Sequence, residues 1–312
     1  MGPQGGTELQ LKELVKRVSK DYWKRITLVT SVPEKKPLHR NKINILWQKN
    51  NYDQPNIYPW FRNKDNHTKY DWYVFNSHWS YEKFRMLFDI PTERCIVIKN
   101  ALPDVKWKEK NFYKEGTLKL VYCSTPWRGL NVLLAAMNIL KEEDIELHLY
   151  SSTQIYGDQF NEKNKSIYTP LFDQADTLKN VHNHGYIDNQ NLISKMEDTH
   201  VFAHPSIWEE TSCISAIEAM AAGNAALVTN FGALFETCTD FGYYINYDKD
   251  PTRLSQNFAS GIKELKKNLA SKFYKQRLRG QMNYYRHYYA WKLRAKEWTA
   301  FFENALKKKG IE

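Results

Sequence analysis

Apolar and polar positions alternate in blocks along this chain, and the blocks predict strands that are followed by helices. In the first hundred residues, short apolar runs typical of buried strands occupy 26–31, 43–48, 72–77 and 95–101. A second, more regular series of apolar runs and amphipathic segments extends from 118 to 248. Strand–helix alternation of this kind indicates parallel sheets that are covered by helices on both faces.

Helical periodicity dominates the two ends of the chain. Residues 8–25 have apolar side chains on one stripe and basic side chains elsewhere, which predicts a basic amphipathic helix. The tail from residue 251 is predicted to be helical and to finish in a long helix over 285–306 that is rich in Tyr and Trp. Two polar stretches, 48–66 and 153–180, show no clear period and are predicted to be irregular loops.

A polar segment divides the two series of strands. Residues 102–116 contain Pro103 and lack a clear period, so we interpret them as a linker between domains. The chain has 312 residues, which is long enough for two domains with ample cores. Ligands of open parallel sheets bind beyond the carboxyl ends of the strands, and this predicts a site in the cleft between the two domains.

The net charge of +10 is unevenly distributed along the chain. Residues 1–110 have a net charge of +9, residues 111–250 of −10 and residues 251–312 of +11. Such asymmetry concerns partners rather than the fold, and solvated helix faces are an equally good interpretation of it. No apolar run is long enough to cross a membrane, and the four scattered cysteines are typical of a reducing cytoplasm.

The sequence HPSIWEETSCISAIEAMAAG at 204–223 combines the end of a strand, two adjacent acids and an amphipathic helix. Ser212 is the predicted N-cap of a helix that begins at Cys213 and stops at Gly223. The backbone N–H groups of Ser212, Cys213 and Ile214 then point toward the predicted cleft. Because a helix N-terminus attracts negative charge, these groups form a candidate anion site.

Two carboxylates flank this candidate anion site. Glu210 lies just before the predicted helix, and Glu218 lies within it. Carboxylates accept hydrogen bonds well from hydroxyl groups. An anion pocket flanked by carboxylates suits a ligand with a diphosphate in the middle and hydroxyl-rich ends, which is the chemistry of a nucleotide-sugar.

The same segment resembles the signature of glycosyltransferase family 4 and its GT-B relatives. The resemblance implies that Glu210 contacts hydroxyl groups of the transferred sugar and that Glu218 holds the ribose of the nucleotide. The positions that match the family pattern are Pro205, Ser206, Glu210, Glu218, Ala219, Met220, Ala221 and Gly223.

Two further segments are similar to segments of this family. STPWRGLNVLL at 124–134 implies that Arg128 binds the diphosphate, where a bidentate guanidinium fits. HGYI at 184–187 resembles the loop whose backbone meets the base, which makes Tyr186 and Ile187 donor-binding candidates. The alternatives are a solvent-facing arginine and an ordinary tight turn.

The chain also departs from the family pattern. Cys123 and Ser124 occupy the place of a second basic residue, so Ser124 is a donor-binding candidate and the grip on the diphosphate is weaker or supplied elsewhere. The glycine-rich loop after the first strand is absent. An Asp-Lys-Asp sequence at 248–250 is similar to the metal motif of another transferase fold, but its position before Pro251 predicts a turn.

The resemblance implies an α/β fold of the GT-B type, with two Rossmann-like parallel-sheet domains facing across a cleft and the first domain small. Residues 1–104 are the predicted acceptor-side domain and residues 105–284 the predicted nucleotide-sugar-binding domain. Residues 285–312 are the predicted C-terminal helix that crosses back to the first domain.

The activity implied is that of a retaining hexosyltransferase that needs no metal and no cofactor. Its donor substrate is a UDP-, GDP- or ADP-sugar, and Glu210 and Arg128 are the predicted catalytic residues. The acceptor hydroxyl attacks from the face that the diphosphate leaves, and the leaving phosphate serves as the base. The N-terminus of the motif helix and Arg128 stabilise the negative charge that develops on it.

The sequence is compatible with several kinds of acceptor. The expected acceptor is a glycan, a lipid-linked molecule or another acceptor. The basic ends favour an anionic or membrane-associated one, with peripheral contact of the basic N-terminal helix with a membrane. The expected location is the cytoplasm, with or without attachment to the inner membrane face. Two alternatives stay open, a nucleic-acid-modifying sugar transferase and a non-catalytic module that binds sugar nucleotides.

Overall fold

The computed structural model describes residues 5–153 and 158–311, and for residues 158–161 it describes the backbone alone. These residues form two compact α/β units, each built on a parallel sheet. The predicted fold class, α/β with two Rossmann-like parallel-sheet domains and a smaller first domain, is confirmed. No helix within the described ranges is long and apolar enough to cross a membrane.

The first unit combines three stretches of the chain, residues 6–104, 210–212 and 289–311. Its four strands are parallel and lie side by side in chain order. Its elements before the linker are α1 (Gly6–Arg17), α2 (Tyr22–Arg25), β1 (Ile26–Thr30), β2 (Ile43–Gln48), α3 (Tyr58–Arg62), β3 (Trp72–Phe75), α4 (His78–Phe88) and β4 (Cys95–Val97).

The second unit comprises residue 5 and the described residues 105–153, 158–209 and 213–288, and the last helix of the chain belongs to the first unit. The remaining elements are β5 (Leu118–Tyr122), α5 (Leu130–Ile139), β6 (Ile145–Leu149), α6 (Asp158–Thr177), β7 (Val181–Asn183), α7 (Asn189–Glu197), β8 (Val201–His204), α8 (Ile214–Ala221), β9 (Ala225–Thr229), α9 (Leu234–Cys238), β10 (Tyr243–Ile245), α10 (Pro251–Asn268), α11 (Lys272–Tyr288) and α12 (Trp291–Lys309).

The two faces of the first sheet are covered by different parts of the chain. Parallel strands in chain order place their crossovers on one face, because each crossover has the same hand. On that face, Phe61 of α3 and Phe84 of α4 pack against Leu46 and Phe75. The opposite face is covered by α1, α2 and α12, and the ring of Trp298 in α12 lies 4.8 Å from that of Trp47. Both termini of the chain are therefore needed to bury this sheet.

The long helix predicted over 285–306 is wrong, since the chain leaves the helical conformation between α11 and α12. Ala290 has an extended backbone with ψ of 138°. The Leu102 N–H donates a hydrogen bond of 2.7 Å to the Tyr289 carbonyl, and Leu102 pairs with Ala290 in a parallel bridge. Pairing with a distant segment therefore replaces one helical turn.

Two other predictions of secondary structure need correction. The helix predicted over 8–25 is divided at Ser19, whose Oγ accepts a hydrogen bond of 3.3 Å from the Asp21 N–H and forms a local turn. The stretch 153–180, predicted to be an irregular loop, contains the 20-residue helix α6. Ala175 of α6 is buried in the core of the second unit, and Phe172 packs against that core.

The second sheet has the strand order β7-β6-β5-β8-β9-β10, and all of its pairs are parallel. Counted within the unit, this is the order 3-2-1-4-5-6 of doubly wound nucleotide-binding sheets. The direction of winding reverses between β5 and β8, so the loops that follow these two strands diverge to opposite sides. A crevice at such a switch point is where open α/β sheets bind their ligands.

Residues 105–116 of the predicted linker belong to the second unit, where the side chain of Lys110 is buried. Its Nζ donates hydrogen bonds to the carbonyl oxygens of Met196, Glu197 and Thr199 at the C-terminal end of α7. Its stem packs on Gly223, where an added Cβ would lie 3.0 Å from the Lys110 Cγ. Burial lowers the pKa of Lys110 to about 7. The amine therefore donates to carbonyls in the last turn of α7, where the helix has few N–H donors of its own.

The loops after β5 and β8 touch through their backbones at Gly129. This residue has φ of 104°, and a Cβ built on it would lie 2.0 Å from the carbonyl oxygen of Pro205. Both the conformation and the contact exclude every residue with a side chain. Gly129 therefore fixes the distance between the two loops at the switch point.

We predict that Gly129→Ala destabilises the second unit by about 3 kcal/mol, because the added methyl group forces two backbone segments apart. The matched control is Gly280→Ala, since Gly280 lies exposed within α11 and an added methyl group there would meet no atom within 4 Å. That substitution should stabilise by roughly 0.5–1 kcal/mol. Urea unfolding of both variants measures the difference, and equal effects would contradict the packing argument.

Candidate functional site

Arg128 lies in a short turn at the switch point. It ends the 3₁₀ turn Pro126–Arg128, and its N–H donates a hydrogen bond of 3.1 Å to the Thr125 carbonyl. The same carbonyl accepts a hydrogen bond of 2.8 Å from the Tyr122 hydroxyl, which anchors the turn on β5. Arg128 is half-buried, and Gly129 follows it directly. The backbone that carries the Arg128 guanidinium is therefore rigid.

Ser124 lies beside this turn and is also half-buried. Its carbonyl accepts a hydrogen bond of 2.6 Å from the Ser151 Oγ, which ties the end of β5 to the end of β6. The Cys123 carbonyl accepts a hydrogen bond of 3.0 Å from the Ser215 Oγ in the first turn of α8. The loop after β5 is thus joined to both of its neighbours.

The loop after β8 is shaped by Ser206, which is completely buried. Its Oγ donates to the Trp208 carbonyl at 2.8 Å and accepts from the Trp208 N–H at 3.2 Å. Its carbonyl accepts a hydrogen bond of 2.7 Å from the Thr229 Oγ1. The Pro205-Ser206 pair of the sequence motif therefore has a structural role, which is to turn the chain sharply as it leaves the sheet.

Helix α8 begins one residue later than predicted, so Ser212 as its N-cap is wrong. The N-cap is Cys213, which has the left-handed conformation with φ of 53°. The first N–H groups of the helix, beginning at Ile214, are not used by intrahelical bonds. Ser212 and Cys213 are buried, and Ile214 is half-buried. The helix N-terminus that the sequence predicts as an anion site therefore lies one residue further along the chain, with Cys213 as its N-cap.

The predicted end of α8 at Gly223 is confirmed. Gly223 has φ of 86°, and its N–H donates to the Met220 carbonyl at 3.2 Å. The Asn224 N–H donates to the Ala219 carbonyl at 3.0 Å. Together these bonds form the Schellman motif that commonly ends a helix at glycine.

Glu218 is a buried acid of the second unit. Its side chain faces Asn189, whose Nδ2 donates a hydrogen bond of 2.9 Å to the Glu218 Oε1. Burial raises the pKa of Glu218 to about 7, and the bond from Asn189 offsets this only in part. A carboxylate that is costly to ionise in a closed interior suggests a ligand that compensates the charge.

The predicted base-contacting loop 184–187 is held by a chain of imidazoles. His184 Nε2 lies 3.1 Å from His148 Nδ1, and His148 Nε2 lies 3.0 Å from a carboxylate oxygen of Glu146. The His184 ring also stacks on Tyr150 with centroids 4.6 Å apart. Burial lowers the pKa of both histidines, so they stay neutral in neutral solution.

Beyond this anchor, Tyr186 is exposed and Ile187 is half-buried. Gly185 between them and His184 has φ of 66°, which turns the loop away from β7. The residues of the loop that were predicted to meet the base are thus accessible, and the preceding histidine fixes their position.

Glu210 belongs to the segment 210–212, which groups with the first unit. Its side chain is buried. Within that unit, the neighbouring Thr211 accepts a hydrogen bond of 3.2 Å from the Asn76 Nδ2 and donates one of 3.1 Å to the Lys49 carbonyl. These bonds hold the segment that contains Glu210.

The Asp-Lys-Asp sequence at 248–250 forms the predicted turn. The Asp250 Oδ1 accepts a hydrogen bond of 2.9 Å from the Thr252 N–H and caps α10. Asp248 pairs with Arg253 at 2.8 Å, which lowers the pKa of Asp248 to about 2. Both acids are therefore engaged in the helix start.

Sequence reasoning missed three residues that shape this site, namely Asn189, Ser215 and Gly129. Asn189 and Ser215 form their bonds across separate loops, and no local pattern indicates such a partner. Gly129 did have a signal, since a glycine between a turn and an apolar helix commonly marks a left-handed or crowded backbone position.

Solved structures with the same fold come from several bacteria. A glycosyltransferase from Rickettsia africae ESF-5 is 16% identical with a TM-score of 0.64, over 97% of this chain and 81% of that one. The pneumococcal O-GlcNAc transferase GtfA, in complex with UDP and GlcNAc, is 16% identical with a TM-score of 0.58, over 85% of this chain. This chain spans only 53% of the length of GtfA.

A third structure, Anabaena HepE in complex with UDP and glucose, is 14% identical with a TM-score of 0.61, over 84% of this chain and 72% of that one. At these identities the likeness shows the fold alone. No curated protein sequence matches this chain.

The family model of the glycosyl transferases group 1 matches residues 106–277. This range contains the switch point, Arg128, helix α8 and Glu218, and it is more than half of the chain. The architecture, the neighbouring structures and the sequence match thus agree, and the chain belongs to the glycosyl transferases group 1 family.

Proposed function

We propose that this protein transfers a hexose-type sugar from a nucleotide-diphosphate sugar to an acceptor hydroxyl with retention, as the resemblance to family 4 implies. The observation that supports this best is the buried Glu218 on the helix whose N-terminus lies at the switch point. A buried acid beside a positive helix end and a rigid arginine turn suits a ligand with both hydroxyls and a diphosphate.

Each donor group has a proposed partner in this chain. The ribose hydroxyls donate to Glu218, and the diphosphate receives hydrogen bonds from Arg128 and from backbone N–H groups at the start of α8, which Ser212, Cys213 and Ile214 present. Ser124 adds a neutral contact to the diphosphate. The backbone at Tyr186 and Ile187 meets the base, and Glu210 holds hydroxyls of the transferred sugar.

The proposed chemistry needs no metal and no protein nucleophile. The bond between the anomeric carbon and the donor phosphate oxygen breaks as the acceptor oxygen bonds to that carbon on the same face. The acceptor proton passes to the leaving phosphate oxygen. Arg128 and the N-terminus of α8 stabilise the negative charge that develops on the leaving group, which lowers the barrier.

The donor is proposed to be a UDP-, GDP- or ADP-sugar. Support comes from two neighbouring structures, GtfA and HepE, whose complexes contain UDP together with a sugar. The binding-module alternative rests on the missing second basic residue and is opposed by the simultaneous presence of Arg128, Glu210 and Glu218.

The acceptor is proposed to be a glycan or a lipid-linked molecule, with an anionic group favoured by the basic ends of the chain. Most of the apolar stripe of α1 is not available to a bilayer, since Leu14 is buried against the first sheet and Leu11 packs there too, whereas Val15 is exposed. Any membrane contact is therefore electrostatic, through lysines such as Lys12 and Lys16.

We predict that one nucleotide-sugar raises the thermal midpoint of the protein in a screen of UDP-, GDP-, ADP- and CMP-sugars. Arg128→Ala should weaken its binding by about 30-fold or more, because a charge-assisted contact to the diphosphate is lost. Glu218→Ala should weaken it comparably. The control is Arg279→Ala, on the exposed side of α11. A wild type that responds to no nucleotide-sugar would favour the binding-module alternative with another ligand.

We predict that the affinity for the donor rises with pH because Glu218 must be ionised to accept two hydroxyl hydrogen bonds. With a pKa of about 7 for Glu218, the dissociation constant of UDP-glucose should fall by about tenfold from pH 6 to pH 8. UDP-glucose itself does not titrate in this range. Glu218→Gln should give a flat and weaker profile, as measured by calorimetry, and a pH-dependent profile in that variant would contradict the assignment.

Glu218→Gln, which should weaken donor binding, should instead increase the stability of the folded protein at high pH. A carboxyl whose folded pKa is raised binds its proton more tightly in the folded state, so its contribution is lost as the pH rises from about 4.5 through 7. We therefore predict that Glu218→Gln melts above the wild type at pH 8 and close to it at pH 5. The exposed Glu264→Gln in α10 should change neither midpoint.

The acceptor proposal is tested by binding to vesicles and to duplex DNA at several salt concentrations. We expect binding to vesicles with anionic lipid at low salt, which salt of about 0.5 M abolishes by screening, and weak binding to DNA. A steep dependence of tight DNA binding on salt would instead favour the nucleic-acid alternative. Absence of vesicle binding at low salt would contradict the proposed membrane contact.

A further inference from the structure

Helix α6 forms one wall of a cavity of about 320 Å³ in the second unit. The other walls are the chain after β6, at Ser151, Ser152 and Thr153, and the chain at the end of β7. This volume lies at the lower end of the range of small-molecule pockets and is enough for a nucleobase with part of its ribose. Part of its lining comes from Asn183, Gly185 and Tyr186 at the end of β7, and part from Lys165, Tyr168, Thr169 and Phe172 of α6.

The cavity adjoins two parts of the proposed donor site. Gly185 and Tyr186 line it and also belong to the loop that is proposed to meet the base. The Tyr168 ring lies 5.5 Å from that of Trp127, the residue before Arg128. A base in this cavity would therefore have its diphosphate on the side of the arginine turn.

The residues that line the cavity supply aromatic surface and a positive charge. Tyr168, Phe172 and Tyr186 supply aromatic surface, which suits a flat heterocycle. Burial raises the pKa of Tyr168, so this side chain stays uncharged. Of the described residues that line the cavity, Lys165 alone is charged. An ammonium group has three donors and no acceptor.

From this arrangement we infer that Lys165 on α6 selects the base of the donor, favouring a base with a ring carbonyl, uracil or guanine, over adenine. The inference rests on the proposed function, since it concerns the same donor. Uracil and guanine present carbonyl acceptors at the edge where adenine presents an amino donor. The ammonium of Lys165 donates to such a carbonyl, whereas it repels the amino group of adenine. Tyr168 supports the ring and does not distinguish the bases.

The test measures dissociation constants of UDP, GDP and ADP for the wild type and for Lys165→Met, which keeps most of the length of the side chain without its charge. The wild type should bind UDP or GDP at least tenfold more tightly than ADP. Lys165→Met should weaken UDP or GDP by about fivefold to tenfold and ADP by less than twofold, which corresponds to one charge-assisted hydrogen bond. Whether UDP or GDP binds more tightly identifies the base.

Two control variants separate base selection by Lys165 from nucleotide binding in general. Lys163→Met removes a neighbouring exposed lysine of α6 that does not line the cavity, and it should leave all three constants unchanged. Tyr168→Ala should weaken the three nucleotides to a similar degree, because stacking is common to all bases.

The outcomes are distinct. If the wild type binds a nucleotide and Lys165→Met leaves the ratio between UDP or GDP and ADP unchanged, the base selection is wrong and the proposed function stands. The base selection is also wrong if Lys163→Met changes the ratio as much as Lys165→Met does. If the wild type binds none of the three nucleotides, both the proposed function and the base selection are wrong.

Discussion

The backbone contact between Gly129 and Pro205 determines the geometry on which the candidate site depends. It occurs at the reversal of winding in the six-stranded sheet, where the loops after β5 and β8 would otherwise separate. Because the contact has no space for a methyl group, the arginine turn and the loop that leads to α8 are held at one fixed separation. Specific binding of a diphosphate requires this kind of rigidity, since its donors must converge without reorganisation.

The two units solve the burial of a parallel sheet in different ways. The second sheet winds in both directions, so its own crossover helices cover both faces. The first sheet winds in one direction, and α1, α2 and α12 cover the face that its crossovers leave open. The C-terminal helix is therefore as much a part of the first core as the strands are, and Trp298 and Phe302 of α12 are buried there.

Apart from helix α6, the sequence was sufficient for the order of the elements in the second unit and for the local shape of the motif at 204–223. Strand, turn, helix and Gly223 follow rules that act over a few residues. The sequence was insufficient where a local conformation is caused by residues that are distant along the chain. The break at Tyr289 comes from pairing with Leu102, and the left-handed Cys213 depends on the loop around it. Helix α6 was missed because Pro170 and many polar residues obscure the spacing of Tyr168, Phe172 and Ala175. The roles of Arg128, Glu210 and Glu218 stay proposals from resemblance and chemistry.

The placement of Lys110 has a consequence for the construction of chimeric enzymes. Residues 103–117 contain neither helix nor strand, so a junction between domains from different relatives could be chosen anywhere in this stretch by inspection of the sequence. The amine that closes the end of α7 comes from within it, and so does the stem that packs against Gly223. A crossover placed after residue 110 would supply the second unit with a foreign linker and remove the Lys110 donor from three carbonyls. Junctions near residue 104 keep the segment with the domain that it completes.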